Sequence, residues 1–350
     1  MKIERLDIDG YEEVLRVEDP DLRLLAFIAV HSTRLGPAAG GMRMRPYADE
    51  RAALHDVLRL SRGMTYKNAA ADLPLGGGKA VVVGDPAHDK SPAMLAALGR
   101  AIATLDGRYW TAEDMGMSPE DMAVMAAETP YVAGLASGQF ASGDPSPITA
   151  RGVFNAIGVT ARRALARTDL SGLTIAVQGL GHVGEHLCRQ LADAGCGLIV
   201  ADTDAGRADR VARGCGGQVV APDEIVAQGA DVFAPCAVGG ILNERSIPTL
   251  KVGAVAGGAN NQLETLDDGD RLHAHGILYA PDYIVNGGGI INVATEILRV
   301  EDREPYVTRH LKSLEATLER VLETAKQEDV SPARVADRTV EAILAEKRPA

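Results

Sequence analysis

The sequence predicts an α/β protein of two domains, in which the second domain is built on a doubly wound parallel sheet. The chain has 350 residues, more than one hydrophobic core usually serves, so two domains are expected. Beyond residue 170, apolar runs of strand length alternate with amphipathic helical patterns, as in a parallel sheet. The segment 140–147 is rich in Pro, Gly and Ser, which is typical of a domain boundary.

These patterns predict where the domains divide. Residues 1–145 are expected to form an N-terminal α/β domain, and residues 146–330 are expected to form the domain with the parallel sheet. A C-terminal helix within 331–350 is not assigned to either domain. A cleft between the two domains is expected, since ligand sites often lie between domains.

Composition and charge exclude several classes of partner. The net charge is −12 and the isoelectric point is about 5.2, so a nucleic acid or an anionic membrane would be repelled. No apolar run is long enough for a signal peptide or a membrane span, so a cytoplasmic location is expected. The cysteines form no CxxC pair and no metal-ligand pattern with histidine, so reduced thiols and no metal are expected. A small molecule is the expected partner.

In the N-terminal half, residues 3–32 have the pattern of strands separated by turns. Helical patterns follow at about 48–69 and 91–106, and a further helix is expected to open at Ser118 and Pro119. Gly40 and Gly41 follow two alanines. This arrangement indicates either a place where backbone lies against a ligand or a simple tight turn.

Two lysines, twelve positions apart, are the main candidates for chemistry. Lys67 lies near the end of a helical pattern, and Lys79 follows three glycines at the start of an apolar strand. A lysine in a pocket that is poor in water, next to another cation, loses proton affinity and can act as a general base. Two solvated lysines beside a turn are the alternative, and for an arbitrary pair the commoner one. The segment is not a phosphate-binding P-loop, because Leu73 and Ala80 break that pattern.

Asp114 follows a short predicted strand and precedes Gly116. Catalytic groups are often placed on loops at strand ends, so this carboxylate is a candidate proton carrier facing the lysines. The alternative is that Asp114 caps the helix that begins near Ser118, although Ser118 can cap that helix itself.

A nucleotide-binding pattern lies in the second half. An apolar strand leads into Gly179-x-Gly181-x-x-Gly184, a helix follows, and Asp202 ends the next strand. This context predicts a dinucleotide, with the pyrophosphate at the helix N-terminus and the ribose hydroxyls on the carboxylate. Asp202 would repel a 2′-phosphate and favours NAD over NADP, whereas two nearby arginines weigh the other way; these are Arg207 and Arg210.

Polar and small residues follow the later strands, where ligands bind in parallel sheets. They are Ala237, Asn260, Asn261 and Asn286. From Ile290 onward the pattern is helical, and the chain is expected to end in helices at about 306–327 and 332–347.

Several motifs, in order and at fitting intervals over residues 20–300, resemble those of one family. They are GPAAGGMRMRPY, RGMTYKNAAADLPLGGGKAVV, RYWTAEDMG, GDPSPITARGVF, VQGLGHVGE, APCAVGG, GGANNQL and YAPDYIVNGGGIINVATE. Together they resemble the amino acid dehydrogenases of the leucine, valine and phenylalanine group, relatives of glutamate dehydrogenase. The resemblance implies a catalytic N-terminal domain, a C-terminal Rossmann domain that binds NAD, and a homo-oligomer.

The resemblance also implies roles for individual residues. Lys67 pairs with the substrate α-carboxylate, Lys79 activates water as the catalytic lysine, and Asp114 carries protons to and from the amino group. The backbone of Gly40 and Gly41 and the side chain of Asn261 hold the substrate. The expected cofactor contacts are Gly179, Gly181, His182, Val183, Gly184, Asp202, Thr149, Ala237 and Asn260, with Asn261 an alternative to Asn260 beside the nicotinamide.

The resemblance bears on the substrate side chain through a few positions. Glutamate-specific relatives carry a lysine where this chain has Ala39, so an apolar side chain is expected. Leucine enzymes typically have Leu at that position and Thr in place of Ala133, so the pocket is expected to be roomier than a leucine pocket. The other expected walls are Ala112, Ile290 and Val293.

The expected reaction is NAD-dependent, reversible oxidative deamination of an apolar L-amino acid. A branched-chain substrate such as leucine is placed first, and phenylalanine or a broad range second, because a methylene changes preference by only about 1 to 3 kcal/mol. One alternative is a glutamate-type or other amino acid dehydrogenase, against which Ala39 argues. Another is a non-catalytic regulator that binds NAD or an amino acid, against which the presence of both lysines and Asp114 argues.

Overall fold

The computed structural model describes residues 1–346, which form two compact units. The first unit comprises Met1–Asp144, Ile290–Val307 and the end of the described chain from Ile343. The second unit comprises Pro145–Gly289 and Thr308–Ala342. This division differs from the predicted ranges because Ile290–Val307 returns to the first unit. Residues 347–350, which end the predicted C-terminal segment, lie outside the described residues.

The first unit contains a mixed sheet of seven strands. The strands are β1 (Lys2–Leu6), β2 (Glu13–Asp19), β3 (Leu24–Ser32), β4 (Ala38–Ala39), β5 (Met42–Arg45), β6 (Gly76–Val83) and β7 (Tyr109–Trp110). The first three strands and β6 form an antiparallel run, whereas β4 and β5 both pair with β6 in parallel. The short β7 pairs in parallel with β4 at the edge.

Three helices of the first unit follow these strands. They are α1 (Glu50–Ala70), α2 (Pro92–Ala103) and α3 (Pro119–Ala126), and each begins beside a side chain that caps it. In α3, the hydroxyl of Ser118 accepts from the backbone N–H of Asp121, whose carboxylate accepts from the backbone N–H of Ser118. This reciprocal cap satisfies two backbone donors of the first turn. The cap of α3 is therefore built without Asp114.

The second unit contains a parallel sheet of six strands. The strands are β8 (Thr174–Gln178), β9 (Gly197–Ala201), β10 (Gln218–Val219), β11 (Val232–Pro235), β12 (Ala254–Val255) and β13 (Leu278–Tyr279). Their spatial order is β10-β9-β8-β11-β12-β13, with every pair parallel. This is the strand order of a Rossmann-type doubly wound sheet. The predicted fold class, an α/β protein with such a sheet in its C-terminal part, is confirmed.

Eight helices complete the described chain. They are α4 (Ser146–Leu165), α5 (His182–Asp193), α6 (Ala205–Cys215), α7 (Leu266–Ala274), α8 (Asp282–Val285), α9 (Gly288–Ile297), α10 (Arg303–Glu328) and α11 (Pro332–Glu346). The helices predicted at about 306–327 and 332–347 agree with α10 and α11 to within three residues at each end; residue 347 lies outside the described part. None of the helices within residues 1–346 combines the length and the apolar character that spanning a bilayer requires.

Candidate active site

The two predicted catalytic side chains are in direct contact in the first unit. Lys79 is the fourth residue of β6, and its side chain is only 8% exposed. Its Nζ lies 2.5 Å from Oδ2 of Asp114, whose side chain is 22% exposed. Asp114 directly follows Glu113, which forms an isolated parallel bridge with Met42 at the start of β5. The sheet therefore brings together a buried ammonium and a partly buried carboxylate from segments 35 positions apart.

The surroundings of Asp114 keep it ionised. Burial alone would raise the pKa of this carboxyl group, but the positive charges of Lys79 and Arg43 outweigh burial and hold the pKa well below its usual range. The Nε of Arg43 lies 3.3 Å from the same Oδ2 atom that Lys79 contacts. Sequence reasoning missed Arg43. The alternation in MRMR could have indicated only which face Arg43 occupies, because Met42 and Met44 enter the core and leave Arg43 on the opposite face of β5.

Close backbone approach explains the glycines beside this pair. A Cβ at Gly41 would lie 2.9 Å from Cβ of Asp114, and a Cβ at Gly40 would lie 2.0 Å from the carbonyl oxygen of Gly78. Gly78 in turn packs against the ring of Tyr109, which a Cβ would meet at 2.5 Å. The hydroxyl of Tyr109 donates to the carbonyl of Gly40 at 2.7 Å. At Gly40, Gly41 and Gly78 the missing side chain thus permits the close approach of another chain segment.

Lys67 lies in the last turn of α1 and is partly buried. The next residue, Asn68, is fully buried, and its Nδ2 donates to the carbonyl of Gly76 at 2.5 Å. This bond joins the end of α1 to the first residue of β6, three positions before Lys79. The two lysines are therefore carried by elements that are fixed to each other.

The predicted wall residues are all buried in the first unit. They are Ala39, Ala112, Ala133, Ile290 and Val293. Ala39 lies in β4, and Ala133 donates its backbone N–H to the carbonyl of Thr111, the residue before Ala112. Ile290 and Val293 lie in α9, which the buried Glu296 fastens to the segment after Ala133.

Glu296 makes this connection through several hydrogen bonds. Its carboxylate accepts from the backbone N–H of Gly134 at 2.8 Å, from that of Ser142 at 3.0 Å and from the Ser142 hydroxyl at 2.7 Å. Sequence reasoning missed Glu296, because its partners lie at least 154 positions away along the chain. No local pattern marks such a contact.

The glycine-rich turn of the second unit has the geometry of a dinucleotide site. Gly179 directly follows β8 and has φ +88°, in the left-handed region that favours glycine. A Cβ at Gly184 would lie 2.0 Å from the carbonyl oxygen of Gly179, so the third glycine permits close packing of α5 on the turn. A Cβ at Gly181 would meet nothing within 4 Å, so this position is open on the side where a pyrophosphate would approach the N-terminus of α5. His182 and Val183 are the first residues of that helix.

Asp202 closes the turn from the end of β9. Its Oδ2 accepts from the backbone N–H of Leu180 at 2.7 Å, and its Oδ1 accepts from that of Asp204 at 2.9 Å. Burial alone would raise the pKa of Asp202, but these bonds and the charge of Arg207 lower it. The Nη1 atom of Arg207 lies 3.3 Å from Oδ1 of Asp202, whereas Arg210 pairs with Glu185 instead. Asp202 is therefore an ionised carboxylate held against the glycine turn.

The remaining predicted nucleotide contacts lie in the second unit beside this turn. A Cβ at Gly179 would lie 2.6 Å from Cβ of Ala237, which follows β11. The loop after Ala237 joins the loop after β12, since the backbone N–H of Gly240 donates to the carbonyl of Asn261 at 2.7 Å. The side chain of Asn286 donates to Oδ1 of Asn260 at 2.9 Å. Asn261 itself has φ +52°.

The predicted sites are thus divided between the units. Thr149, in the first turn of α4, lies in the second unit with the nucleotide contacts. Asn261, predicted as a substrate contact, also lies in the second unit. Both lysines, Asp114, the paired glycines and the wall residues lie in the first unit.

Comparison with known proteins identifies the family to which the chain belongs. A family model described as the Glu/Leu/Phe/Val dehydrogenase dimerisation domain matches residues 12–131. A second, described as Glutamate/Leucine/Phenylalanine/Valine dehydrogenase, matches residues 204–346. The chain belongs to the Glu/Leu/Phe/Val dehydrogenase family. The resemblance predicted from the sequence motifs is confirmed.

Individual members of this family are similar over most of their length. A leucine dehydrogenase of Bacillus subtilis (strain 168) is 46% identical over 334 residues, which cover 95% of this chain and 90% of that protein. A phenylalanine dehydrogenase of Lysinibacillus sphaericus is 48% identical over 295 residues, covering 83% and 77%. The crystal structure of an L-tryptophan dehydrogenase from Nostoc punctiforme matches with a TM-score of 0.83 and 41% identity, covering 97% of both chains.

Proposed function

We propose that this protein catalyses the NAD-dependent, reversible oxidative deamination of an apolar L-amino acid. The products are the 2-oxo acid, ammonia and NADH. The observation that carries the proposal is the contact of 2.5 Å between the buried Lys79 and the ionised Asp114, beside the paired glycines. Family membership and similarity to leucine, tryptophan and phenylalanine dehydrogenases support the same activity.

The chemistry needs a clamp, a base and a proton carrier. A hydride leaves the substrate Cα only when the amino group is neutral and Cα is correctly oriented. Lys67 pairs with the α-carboxylate and fixes that orientation. Lys79 activates the water that attacks the imine carbon and stabilises the carbinolamine. Asp114, in contact with Lys79, carries protons to and from the nitrogen.

The second unit fits NAD, which accepts the hydride when bound. The pyrophosphate would be held at the N-terminus of α5, where Gly181 leaves space and the backbone donors are free of side-chain caps. The ribose hydroxyls would donate to Asp202. The charge of Arg207 is directed at Asp202, which supports NAD as the preferred cofactor over NADP.

The wall residues support an apolar substrate. All of them have aliphatic side chains, and Ala39 cannot meet the distal carboxylate of glutamate. Leucine is placed first, and phenylalanine or a broad aliphatic and aromatic range second, because small walls discriminate weakly between apolar side chains. The family model at residues 12–131 describes a dimerisation domain, which supports a homo-oligomer.

An assay of NADH formation over a panel of amino acids tests the proposal. The wild-type protein is expected to oxidise leucine with NAD and to be much slower with glutamate or with NADP. Glutamate oxidation at a comparable or higher rate would instead establish the glutamate-type alternative. Absence of NADH formation with every amino acid would establish a non-catalytic regulator.

The Lys79→Ala variant tests the assignment of the base. Turnover is expected to fall by about 10²- to 10⁴-fold, because the water that attacks the imine loses its proton acceptor, while NADH binding is unchanged. NADH fluorescence and steady-state rates measure the two effects. Lys312→Ala, at an exposed position of α10, is the control. A Lys79→Ala variant that keeps the wild-type rate contradicts the assignment.

A further inference from the structure

Arg43 links the Lys79–Asp114 pair to a second partly buried carboxylate. The Arg43 residue is 9% exposed, and its Nε lies 3.3 Å from Oδ2 of Asp114. On its other side, Nη1 of Arg43 lies 3.4 Å from Oδ2 of Asp56 in α1, whose side chain is 14% exposed. The hydroxyl of Tyr47 donates to that same oxygen of Asp56 at 2.7 Å. One guanidinium therefore lies between two carboxylates, only one of which touches Lys79.

The sheet register places this arginine beside the pair. Strand β5 pairs in parallel with β6, and Arg43 lies opposite Val81, two residues after Lys79. Side chains alternate along a strand, so Val81 and Lys79 point to the same face of the sheet. Their neighbours Met42, Met44, Ala80 and Val82 point to the other face and form the core. An arginine is rarely buried in such a position without paired charges.

We propose that Arg43 is a positioning residue for the deamination reaction. It holds the carboxylate of Asp114 against the ammonium of Lys79, while Asp56, which accepts from the hydroxyl of Tyr47, occupies the far side of the guanidinium and limits the positive charge that reaches the pair. This inference rests on the proposed function. It adds Arg43, Asp56 and Tyr47 to the groups that determine how the pair exchanges protons.

The charges around the pair determine in which direction each substitution is expected to shift the pH profile of the reaction. Lys79 and Asp114 are in contact, so a charge that acts on one of them acts on both. The ionisable groups that face them include Arg43 from β5 and Tyr109 from β7, with Asp56 beyond Arg43. Burial raises the pKa of Tyr109, so it is neutral in the working range. Arg43 and Asp56 therefore act on the pair with opposite sign.

Substitution of Arg43 and substitution of Asp56 are expected to shift the pH profile of kcat/KM in opposite directions. Without the cation of Arg43, the pair holds its proton more tightly, so the acidic limb of the kcat/KM profile for amino acid oxidation moves to higher pH by about one unit. Without the anion of Asp56, the limb moves to lower pH by a smaller amount, because Asp56 acts from the far side of the guanidinium. Loss of packing alone does not produce two shifts of opposite sign.

The experiment compares kcat/KM profiles of full-length variants with one amino acid and NAD. Arg43→Gln is expected to lower kcat/KM about tenfold at a fixed pH on the acidic limb, since the limb has moved by one unit. Arg43→Lys keeps the charge and is expected to restore the position of the limb. Asp56→Asn is expected to raise kcat/KM on that limb about two- to threefold, for a shift of about half a unit. Arg59→Gln is the control, because Arg59 also faces Asp56, at 3.9 Å, but is 52% exposed.

The outcomes separate this inference from the proposed function. If the wild-type protein oxidises amino acids and neither Arg43→Gln nor Asp56→Asn moves the limb, the positioning role is overturned and the function stands. Shifts in the same direction for both variants also overturn it. If Arg43→Gln does not fold, Arg43→Lys and Asp56→Asn decide the question. The role is supported if the acidic limb stays in place in Arg43→Lys and moves to lower pH in Asp56→Asn. Any other result overturns it.

Discussion

At the scale of single residues, His31 shows how burial changes the chemistry of a side chain outside the proposed reaction. It lies near the end of β3, where its Nδ1 is 2.8 Å from the hydroxyl of Thr65 and its ring meets Tyr11 edge to face. Burial, with a further contribution from the charge of Arg62, lowers the pKa of His31 from 6.5 to about 4, against a smaller opposing effect of Glu12. The folded protein therefore favours the neutral ring.

This difference predicts a loss of stability in mild acid. Between pH 6.5 and 4 the unfolded chain binds a proton at His31 and the folded chain does not, so the free energy of unfolding falls as the pH is lowered through this range. The loss from this group is at most about 3 kcal/mol. Urea unfolding of wild type and His31→Gln at pH 7.5 and 4.5 measures it, and the variant is expected to lose less stability between the two. An equal loss in both proteins would contradict the prediction; His55→Gln, at an exposed position of α1, is the control.

Residues also show what the sequence could not predict. Lys79 and Asp114 were recognisable because each lies in a distinctive local pattern, a glycine run and a strand end. The contact of Arg43 with Asp114 joins positions 71 apart, and the arginine resembles any alternating polar residue of a strand. Nothing in the periodicity of MRMR tells a solvated arginine from one between two carboxylates.

At the scale of elements, α9 is held to the first unit by a few polar contacts. Glu296 accepts hydrogen bonds from Gly134 and Ser142, and Asn292 donates from its Nδ2 to the carbonyl of Ser142 at 3.0 Å. Arg303 donates to that carbonyl at 2.9 Å and to Oδ1 of Asn292 at 2.9 Å. These bonds fix the helix that supplies two of the predicted pocket walls.

The Glu296→Gln variant tests the importance of this connection. An amide presents two N–H donors where the carboxylate accepted, so at least one buried donor of the segment loses its partner. The free energy of unfolding is expected to fall by about 1 to 3 kcal/mol. Urea denaturation measures the change, with Glu301→Gln at an exposed position as the control. Equal stability of the two variants would show that the amide satisfies the segment as well as the carboxylate does.

Elements differ in how far the sequence predicts them. The parallel sheet of the second unit could be predicted because each strand, turn and helix carries its own local signal, as in the run from β8 through Asp202. The return of Ile290–Val307 to the first unit could not, because α9 follows β13 and α8 of the second unit without any change in composition. Strand β4 has only two residues, and its position in the sheet depends on pairing with β6 and β7.

At the scale of the whole molecule, the predicted ligand contacts are separated by unit. Every predicted nucleotide contact lies in the second unit, and all except Thr149 lie on segments that follow the carboxyl ends of its strands. Each unit also has its own buried apolar clusters. A ligand that binds one set of contacts is therefore expected to leave a local signature.

Hydrogen exchange with and without NADH tests this separation. Protection is expected in the turn 179–184 and in the loops 237–240 and 258–262, because these backbone segments lie at the proposed cofactor site. The Gly181→Ala variant is the matched control. Its methyl group meets no protein atom within 4 Å, so the variant is expected to fold normally. The methyl group would occupy the space proposed for the pyrophosphate, so the protection by NADH is expected to be lost. Protection that appears only outside these segments would contradict the assignment of the site.

The glycines in and beside strand β6 restrict where this protein can accept substitutions. Gly78 touches the ring of Tyr109, and the methyl groups that substitution would add at Gly40 or Gly41 collide with the neighbouring segments. A side chain introduced at any of these glycines, which lie beside the Lys79–Asp114 pair, would therefore displace the backbone. Substitution at the predicted pocket walls Ala39, Ala112 and Ala133 exchanges an existing side chain and does not add one where backbone stands in the way. New substrate preferences are therefore expected to arise more readily at these positions than at the glycines.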